Sequence, residues 1–177
     1  KAIREGLYEE MLRDDKVFII GEDMAVMGNV FAITTGFLEE FGADRVIDTP
    51  ISEEGFCGMS VGAAMRGMRP VVELMYDDFA PVAADPILNQ AAKMRYMTGG
   101  QASVPMVLRA PMGSGRRNAG QHSQSLENFF CHFPGLKVVA PCSAEDAKGL
   151  IKSAIRDPDP VIVLEHKLLY ARKEEIP

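Results

Sequence analysis

Two adjacent carboxylates, Glu53 and Glu54, stand where a short apolar segment passes into a predicted helix. The segment Asp48–Phe56 follows the predicted strand Arg45–Ile47, and its proline keeps the preceding residue out of helical geometry. Ser52 is predicted to cap the helix, which places both glutamates in its first turn. Either both glutamates only complement the helix dipole, or one of them does acid–base chemistry on a ligand at the end of the strand.

A second polar cluster follows the predicted strand Val71–Leu74. The adjacent carboxylates of Asp77 and Asp78 either bind a cation or a ligand hydroxyl, or cap a helix predicted over Phe79–Tyr96. The second alternative is favoured, because aspartate is common at helix starts. Phe79 on its own fits an ordinary core position.

The third candidate is a glycine-rich loop with two cations, Gly113–Arg117, followed by the polar string Gln121–Gln124. The loop lacks the Lys-Ser/Thr of a P-loop, so the pattern does not favour a nucleotide. Histidine is the side chain best suited to carry a proton near neutral pH, and His122 has hydroxyl and amide neighbours. It is therefore either a proton carrier or a solvent-facing loop residue.

The cysteines and the other histidines form no metal-binding pattern. Cys57, Cys131 and Cys142 are odd in number and have neither C-x-x-C nor zinc-finger spacing. His132 and His166 complete no ligand set with them. This cysteine usage favours reduced thiols, and we expect a cytoplasmic protein.

Length and composition are those of one globular domain. The 177 residues are 47% hydrophobic and 25% charged, which excludes disordered and collagen-like chains. A net charge of −6 and no basic run longer than Arg116–Arg117 argue against nucleic acid as a partner. The longest uncharged stretch, Met24–Leu38, is too short to span a bilayer, so no membrane helix is expected. Because the chain begins at Lys1, inside a predicted helix, we expect it to be a piece of a longer protein.

The elements that position these residues alternate between strands and helices. The predicted strands are short runs rich in β-branched residues: Val17–Ile20, Arg45–Ile47, Val71–Leu74, Met106–Leu108, Val138–Ala140 and Val161–Leu164. The predicted helices are Ala2–Leu12, Glu54–Gly67, Phe79–Tyr96 and Ala144–Ile155. This alternation predicts an α/β fold, with a mostly parallel sheet and helices on both faces. Ligand sites in such folds gather at the carboxyl ends of the strands.

Several strings in a fixed order make the whole chain resemble the β subunit of thiamine-diphosphate-dependent 2-oxo acid and acetoin dehydrogenases. They are Gly21–Asp23, Asp48–Glu53, Arg69–Glu73, Tyr96–Gly100, Gln121–Gln124, Pro134–Val139 and Asp146–Gly149. The resemblance is to the amino-terminal half of that subunit, the pyrimidine-binding domain of the transketolase superfamily, which has the thiamine-diphosphate-binding fold. It implies a domain over residues 1–170. Residues 171–177 would begin the linker to a C-terminal transketolase domain that is absent from this sequence.

The resemblance implies roles for three candidate residues. Glu53 matches the glutamate that hydrogen-bonds the ring nitrogen of the cofactor's aminopyrimidine and favours the imino tautomer, which takes the thiazolium proton. Phe79 matches the aromatic residue that stacks on the pyrimidine. His122 matches a histidine implicated in the reaction of the intermediate with the lipoyl group. Glu54 keeps its assignment as a first-turn residue.

The resemblance also implies partners and metals. The Gly-Asp-Gly motif that binds magnesium and diphosphate is absent here and belongs to the family's α subunit, so the active site lies between chains of a tetramer with two α and two β subunits. The acyl group of a small 2-oxo acid or of acetoin passes to a lipoyl-bearing acyltransferase. A structural potassium ion is implied at backbone carbonyls near positions matching Met106, Ala154, Asp157 and Asp159. Pro86 departs from a glutamine that is frequent in the family.

The strings Gly99–Gln101 and Gln121–Glu127 favour pyruvate or acetoin over branched-chain acids as the substrate. Two other interpretations stay open. One is a transketolase-like or deoxyxylulose-phosphate-synthase-like domain, although those enzymes carry the diphosphate motif on the same chain. The other is a non-catalytic doubly wound module that only acts as a scaffold or binds a phosphorylated ligand through Gly113–Arg117.

Overall fold

A six-stranded parallel sheet forms the centre of the computed structural model, which describes residues 1–176. Its strands are β1 (Val17–Gly21), β2 (Val46–Asp48), β3 (Arg69–Glu73), β4 (Val107–Met112), β5 (Lys137–Val139) and β6 (Val161–His166). Their order across the sheet is β2-β1-β3-β4-β6-β5, and every neighbouring pair is parallel. The predicted α/β class and parallel sheet are confirmed.

Helices cover both faces of this sheet. They are α1 (Ala2–Arg13), α2 (Phe37–Phe41), α3 (Glu53–Met65), α4 (Met94–Met97), α5 (Glu127–Cys131) and α6 (Ala144–Arg156). Three 3-10 turns, Asp77–Phe79, Gly120–His122 and Lys167–Ala171, and a π-helical segment, Asp85–Ala91, complete the regular structure of the described chain. Ser143 caps α6, since its hydroxyl oxygen accepts a hydrogen bond from the amide of Asp146 at 3.0 Å.

Alternate residues of each strand supply two separate hydrophobic cores, as the period of two in a β-strand requires. One core contains Phe18, Ile20, Val72, Leu108 and Ile162, packed against α3 and the π-helical segment. The other contains Val17, Ile19, Val71, Val107 and Val161, packed against α1 and α6. Burial on both faces explains why the strand sequences are almost continuously apolar.

The prediction of one helix over Phe79–Tyr96 is wrong. The chain there passes from the 3-10 turn through irregular turns into the π-helical segment and then into α4. Pro81 and Pro86 explain the interruption, because proline has no amide donor and its ring clashes with the carbonyl four residues earlier. The Pro86 departure from the family pattern falls within the π-helical segment.

The residues after Ala171 lie against the start of α6. Glu174 accepts a hydrogen bond from the amide of Ala144 at 2.6 Å, and Arg172 donates to the carbonyl of Cys142 at 3.1 Å. The predicted linker, residues 171–177, includes Pro177, which lies outside the described residues. Within residues 1–176, no helix is both long and apolar enough to cross a membrane.

A buried charged network ties the strands together at their carboxyl ends. Arg109 of β4 binds Glu165 of β6 through two hydrogen bonds, of 2.8 and 2.6 Å, and forms an ion pair with Glu73 of β3. Both oxygens of Glu73 also accept from the side-chain amide of Asn29 at 2.9 Å, and Tyr170 donates its hydroxyl proton to Glu165. Burial, and next the charge of Glu165, raise the pKa of Tyr170, so the phenol stays protonated. The network therefore spans three strands and two loops.

We expect Arg109→Met to lower the free energy of unfolding by roughly 3–5 kcal/mol, because it leaves two buried carboxylates without their cation. Urea denaturation measures this change. Lys1→Ala is the control, since the Lys1 side chain is 91% exposed and its pairing with Glu5 is a surface contact. Equal stability of the two variants would contradict a structural role for the network.

Candidate functional site

The candidate residues lie at the point where the strand order reverses. From β1 the chain moves outward to β2 on one side, and from β3 it moves to β4 on the other, so the connections leave β1 and β3 in opposite directions. Such a switch point opens a crevice at the carboxyl ends of the strands, where ligands of doubly wound folds bind. Glu22 follows β1 directly, and the turn Asp77–Phe79 follows β3.

Glu53 is the first residue of α3 and is buried, with 7% of its surface exposed, whereas the adjacent Glu54 is exposed. Ser52 precedes the helix as predicted, but its hydroxyl makes no capping hydrogen bond. A buried carboxylate in a first turn does more than balance a helix dipole, because its desolvation has to be offset by a partner. The geometry therefore distinguishes two glutamates that the sequence places side by side.

Glu22 is a site residue that the sequence reasoning missed. Burial raises its pKa, and the charges of Glu53 and Asp23 raise it further. Among the described residues, Glu22 Oε1 and the hydroxyl of Thr49 are buried without a hydrogen-bond partner. The sequence does contain a signal for Glu22, because this residue directly follows an apolar strand, as the other candidate residues do. Orphaned polar atoms beside Glu53 fit a polar ligand group in the crevice.

Cys57 lies one helical turn after Glu53 in α3 and is buried. Burial, and next the charge of Glu53, raise the pKa of its thiol to about 12. The thiolate is the reactive form of cysteine, so Cys57 is a packing residue and not a nucleophile. Cys131 and Cys142 are exposed, and none of the three cysteines is in a disulfide within residues 1–176.

The rings of Phe79, which follows β3, and His122, which follows β4, contact each other edge to face. Their ring centroids are 5.5 Å apart, and the ring of Tyr76 lies 5.1 Å from the imidazole on another side. Both His122 and Phe79 are half-buried. His122 is thus held among aromatic rings and does not simply face solvent, while Phe79 keeps part of its ring accessible at the crevice.

Asp77 and Asp78 do not cap a following helix, so that part of the sequence interpretation is wrong. Their carboxylates instead bind backbone amides of the segment that carries His122. Asp78 Oδ1 accepts from Ser123 and Gln124 at 3.1 Å each, and Asp77 Oδ2 accepts from Leu126 at 3.0 Å. The aspartates therefore position a loop from a different part of the chain.

The four positions matched to a potassium site lie at the opposite edge of the sheet, near the amino ends of β4 and β6. They are Met106, Ala154, Asp157 and Asp159. The carbonyl of Ala154 accepts from the amide of Asp157 at 3.2 Å, and that of Met106 accepts from Val161 at 3.0 Å.

Cationic side chains also reach this edge. The Asp157 carbonyl accepts from Arg69 at 3.3 Å, and its carboxylate binds Lys137 at 2.7 Å. Arg95 also pairs with the carboxylate of Asp159, so these oxygen donors, which would suit a hard cation, are shared with three cationic side chains. In the described part of the chain, no group of three or more His, Cys, Asp or Glu side chains is placed to hold a metal.

Comparison with known protein families matches residues 1–173 to the transketolase pyrimidine-binding domain. The match covers nearly the whole chain, and it agrees with the parallel α/β sheet. The chain belongs to this family.

Curated relatives sharpen the resemblance. The chain is 54% identical over 177 residues to the pyruvate dehydrogenase E1 component subunit beta of Rickettsia felis. It is 51% identical over 177 residues to the mitochondrial subunit of Bos taurus and 50% identical over 176 residues to that of Homo sapiens. These matches cover 99–100% of this chain but 49–54% of the relatives, so it spans about half their length. The predicted resemblance to dehydrogenase β subunits is confirmed.

A solved structure described as a split-gene transketolase, inactive β4 tetramer, has the same fold. It superimposes with a TM-score of 0.71 over 92% of this chain and 48% of its own, at 19% sequence identity. At that identity the likeness supports the fold alone.

We expect Glu22→Gln to raise the melting temperature of the chain at pH 8 and to change it little near pH 4. A carboxyl whose pKa is raised by folding binds its proton more tightly in the folded state, so folding stability falls as pH rises through that raised value. Glutamine does not ionise, so Glu22→Gln should not lose this stability as pH rises. Thermal denaturation at the two pH values measures the effect, with Glu40→Gln, an exposed glutamate of α2, as the control. A lower melting temperature for Glu22→Gln at pH 8 would sink the prediction.

Proposed function

We propose that this chain is the amino-terminal part of the β subunit of a thiamine-diphosphate-dependent 2-oxo acid dehydrogenase, with pyruvate as the substrate. The observation that carries the proposal is the buried Glu53 at the switch point, beside two polar atoms that have no partner within residues 1–176. The identity of about one half to pyruvate dehydrogenase E1 β subunits supports it. Residues 1–170 form the pyrimidine-binding domain, and a linker begins at Ala171.

The site's own residues fit the pyrimidine end of thiamine diphosphate. Glu53 would hold the ring nitrogen through a hydrogen bond that carries a transferable proton, and its withdrawal from water would keep that hydrogen bond strong. Phe79 offers its accessible ring for stacking on the pyrimidine, and His122, on the same side, serves acyl transfer to a lipoyl group. The cofactor, when bound, supplies the carbanion chemistry, and the protein orients it.

The diphosphate and its magnesium ion belong to an α subunit in this proposal, because the sequence contains no Gly-Asp-Gly motif. The working unit is a tetramer of two α and two β chains that delivers the acyl group to a lipoyl-bearing acyltransferase. Acetoin is the alternative substrate. Co-purification of the full-length β subunit with a chain that carries Gly-Asp-Gly supports the proposal, whereas full activity of the β subunit alone favours a single-chain transketolase-like enzyme.

We expect Glu53→Gln to lower turnover of the assembled enzyme by about 10²–10⁴-fold, the usual contribution of a positioned acid–base group. Glutamine retains the shape of the side chain but holds no transferable proton. The matched control is Glu54→Gln, since the exposed neighbour stands in the same turn and has no contact with the crevice in this proposal. Steady-state turnover with pyruvate measures both variants, and normal turnover of Glu53→Gln would refute the proposed role.

The potassium prediction has a separate test. We propose that the carbonyls of Met106, Ala154 and Asp157, together with Asp159, bind potassium at the amino edge of the sheet, away from the crevice. The melting temperature of the β subunit should then be higher in KCl than in NaCl or choline chloride at equal ionic strength, because an ion that binds only the folded state stabilises it. Identical values in the three salts would refute the site.

A further inference from the structure

The aspartate pair, Asp77 and Asp78, is buried at the centre of the candidate site, with 0% and 8% of its surface exposed. One oxygen of each carboxylate is used by the His122 loop, residues 120–126. The remaining oxygens, Asp77 Oδ1 and Asp78 Oδ2, are buried and have no hydrogen-bond donor among residues 1–176. Two unpaired carboxylate oxygens on adjacent buried residues are costly, and this cost needs a physical explanation.

A hydrogen bond between the two carboxyl groups, which needs one proton on the pair, would give the free oxygens a partner. Burial, together with the neighbouring Asp78, raises the pKa of Asp77 to about 7. Burial opposes ionisation of Asp78 as well, but hydrogen bonds from Gln124, Asp77 and Ser123 outweigh it and lower the pKa of Asp78. Two like-charged groups that share a site have their proton affinities driven apart in this way. The proton therefore belongs to the pair and resides mainly on Asp77.

Lys167 is the buried counter-charge. Its side chain is wholly inaccessible, its ammonium donates to the carbonyl of His122 at 2.6 Å, and it lies 4.5 Å from the centre of the Tyr76 ring. Burial lowers the pKa of Lys167, and the charges of the aspartate pair oppose that effect. With one proton on the pair, one negative and one positive charge balance, whereas loss of that proton leaves a buried excess of negative charge.

The His122 loop is thus held on both sides of the imidazole. Lys167 binds the carbonyl of His122 itself, and the aspartate pair binds the amides that follow at Ser123, Gln124 and Leu126. The pair lies in the same 3-10 turn as Phe79, whose ring contacts the imidazole. The Phe79 ring therefore gives the imidazole a further contact besides the hydrogen bonds that hold its loop.

We propose that Asp77, Asp78 and Lys167 are positioning residues that hold His122 for acyl transfer, and that the hold requires one proton shared between the two aspartates. The role in transfer rests on the proposed function, while the hold on the loop does not. None of the three residues needs to touch substrate or cofactor.

The hold on the His122 loop should depend on pH, because the aspartate pair loses its proton as pH rises. The charged or titratable groups around the pair are Lys167, with the exposed Arg116 beside it, and the neighbouring Tyr76 and His122, whose rings contact each other. Since the folded-state pKa of Asp77 is raised to about 7, the hold is intact below that pH and weakens as pH rises through it. The loop should therefore loosen above neutrality.

Amide hydrogen exchange in the assembled full-length enzyme tests the hold directly. Asp78→Ala should reduce the protection of the Ser123 and Gln124 amides about tenfold or more, as loss of a hydrogen bond to a charged group does. Asp77→Asn should keep the loop protected from pH 6 to pH 9, because the amide side chain donates to Asp78 as the shared proton did and still accepts from Leu126. Asp85→Asn, an exposed aspartate farther along the same segment, is the control. Unchanged protection in Asp78→Ala overturns the proposal.

Measuring the two partial reactions separately distinguishes a positioning role of the aspartates from a general effect on folding. Asp78→Ala should slow transfer to a lipoyl acceptor by about 10²-fold, the cost of a misplacement of about 1 Å, while decarboxylation measured with an artificial electron acceptor is retained. The parent enzyme should lose lipoyl transfer as pH rises above neutrality, and Asp77→Asn should not. An alkaline loss that persists in Asp77→Asn refutes the shared proton. A parent enzyme without lipoyl transfer at any pH refutes the proposed function instead, and the exchange experiment still decides whether the loop is held.

Discussion

The guanidinium of Arg109 joins three neighbouring strands at the edge of the sheet where the candidate site lies. It is surrounded by carboxylates from β3 and β6, and those carboxylates in turn bind Asn29 and Tyr170 from two flanking loops. A buried ion network contributes little net stability compared with a hydrophobic core, but it tolerates only one arrangement of its members. The relative positions of the strand ends, and of the loops that leave them, therefore depend on this contact.

The site itself uses carboxylates in the opposite way. At the Arg109 network each buried acid has a cation or a donor, whereas Glu22 and the aspartate pair retain oxygens without one in the described chain. Glu22 and Asp77 hold protons more tightly than ordinary carboxylates, as their raised pKa values indicate, whereas hydrogen bonds lower the pKa of Asp78. Because the network already fixes the strand ends, the crevice can carry these costly groups without loss of the fold.

Much of the fold could be predicted from the sequence, because buried parallel strands and amphipathic helices leave strong local patterns. All six strands were located, five of them with both ends within two residues and β4 with its end four residues too early, and α6 was recognised with its Ser143 cap. The segment after Phe79 was predicted wrongly, because its apolar spacing is helical while Pro81 and Pro86 interrupt the hydrogen bonding. The roles of Asp77 and Asp78 were also missed, since their partners lie more than 40 residues away along the chain.

The amino-acid sequence by itself determined the α/β class, the family resemblance and the candidate set of Glu53, Phe79 and His122, because local periodicity and short strings carry that information. Only the tertiary structure decided which of two adjacent glutamates is buried, that His122 packs against Phe79, and that Glu22 belongs to the crevice. Burial and charge coupling depend on which strand ends meet in space. That meeting follows from the order of the strands across the sheet, which no local pattern in the chain encodes.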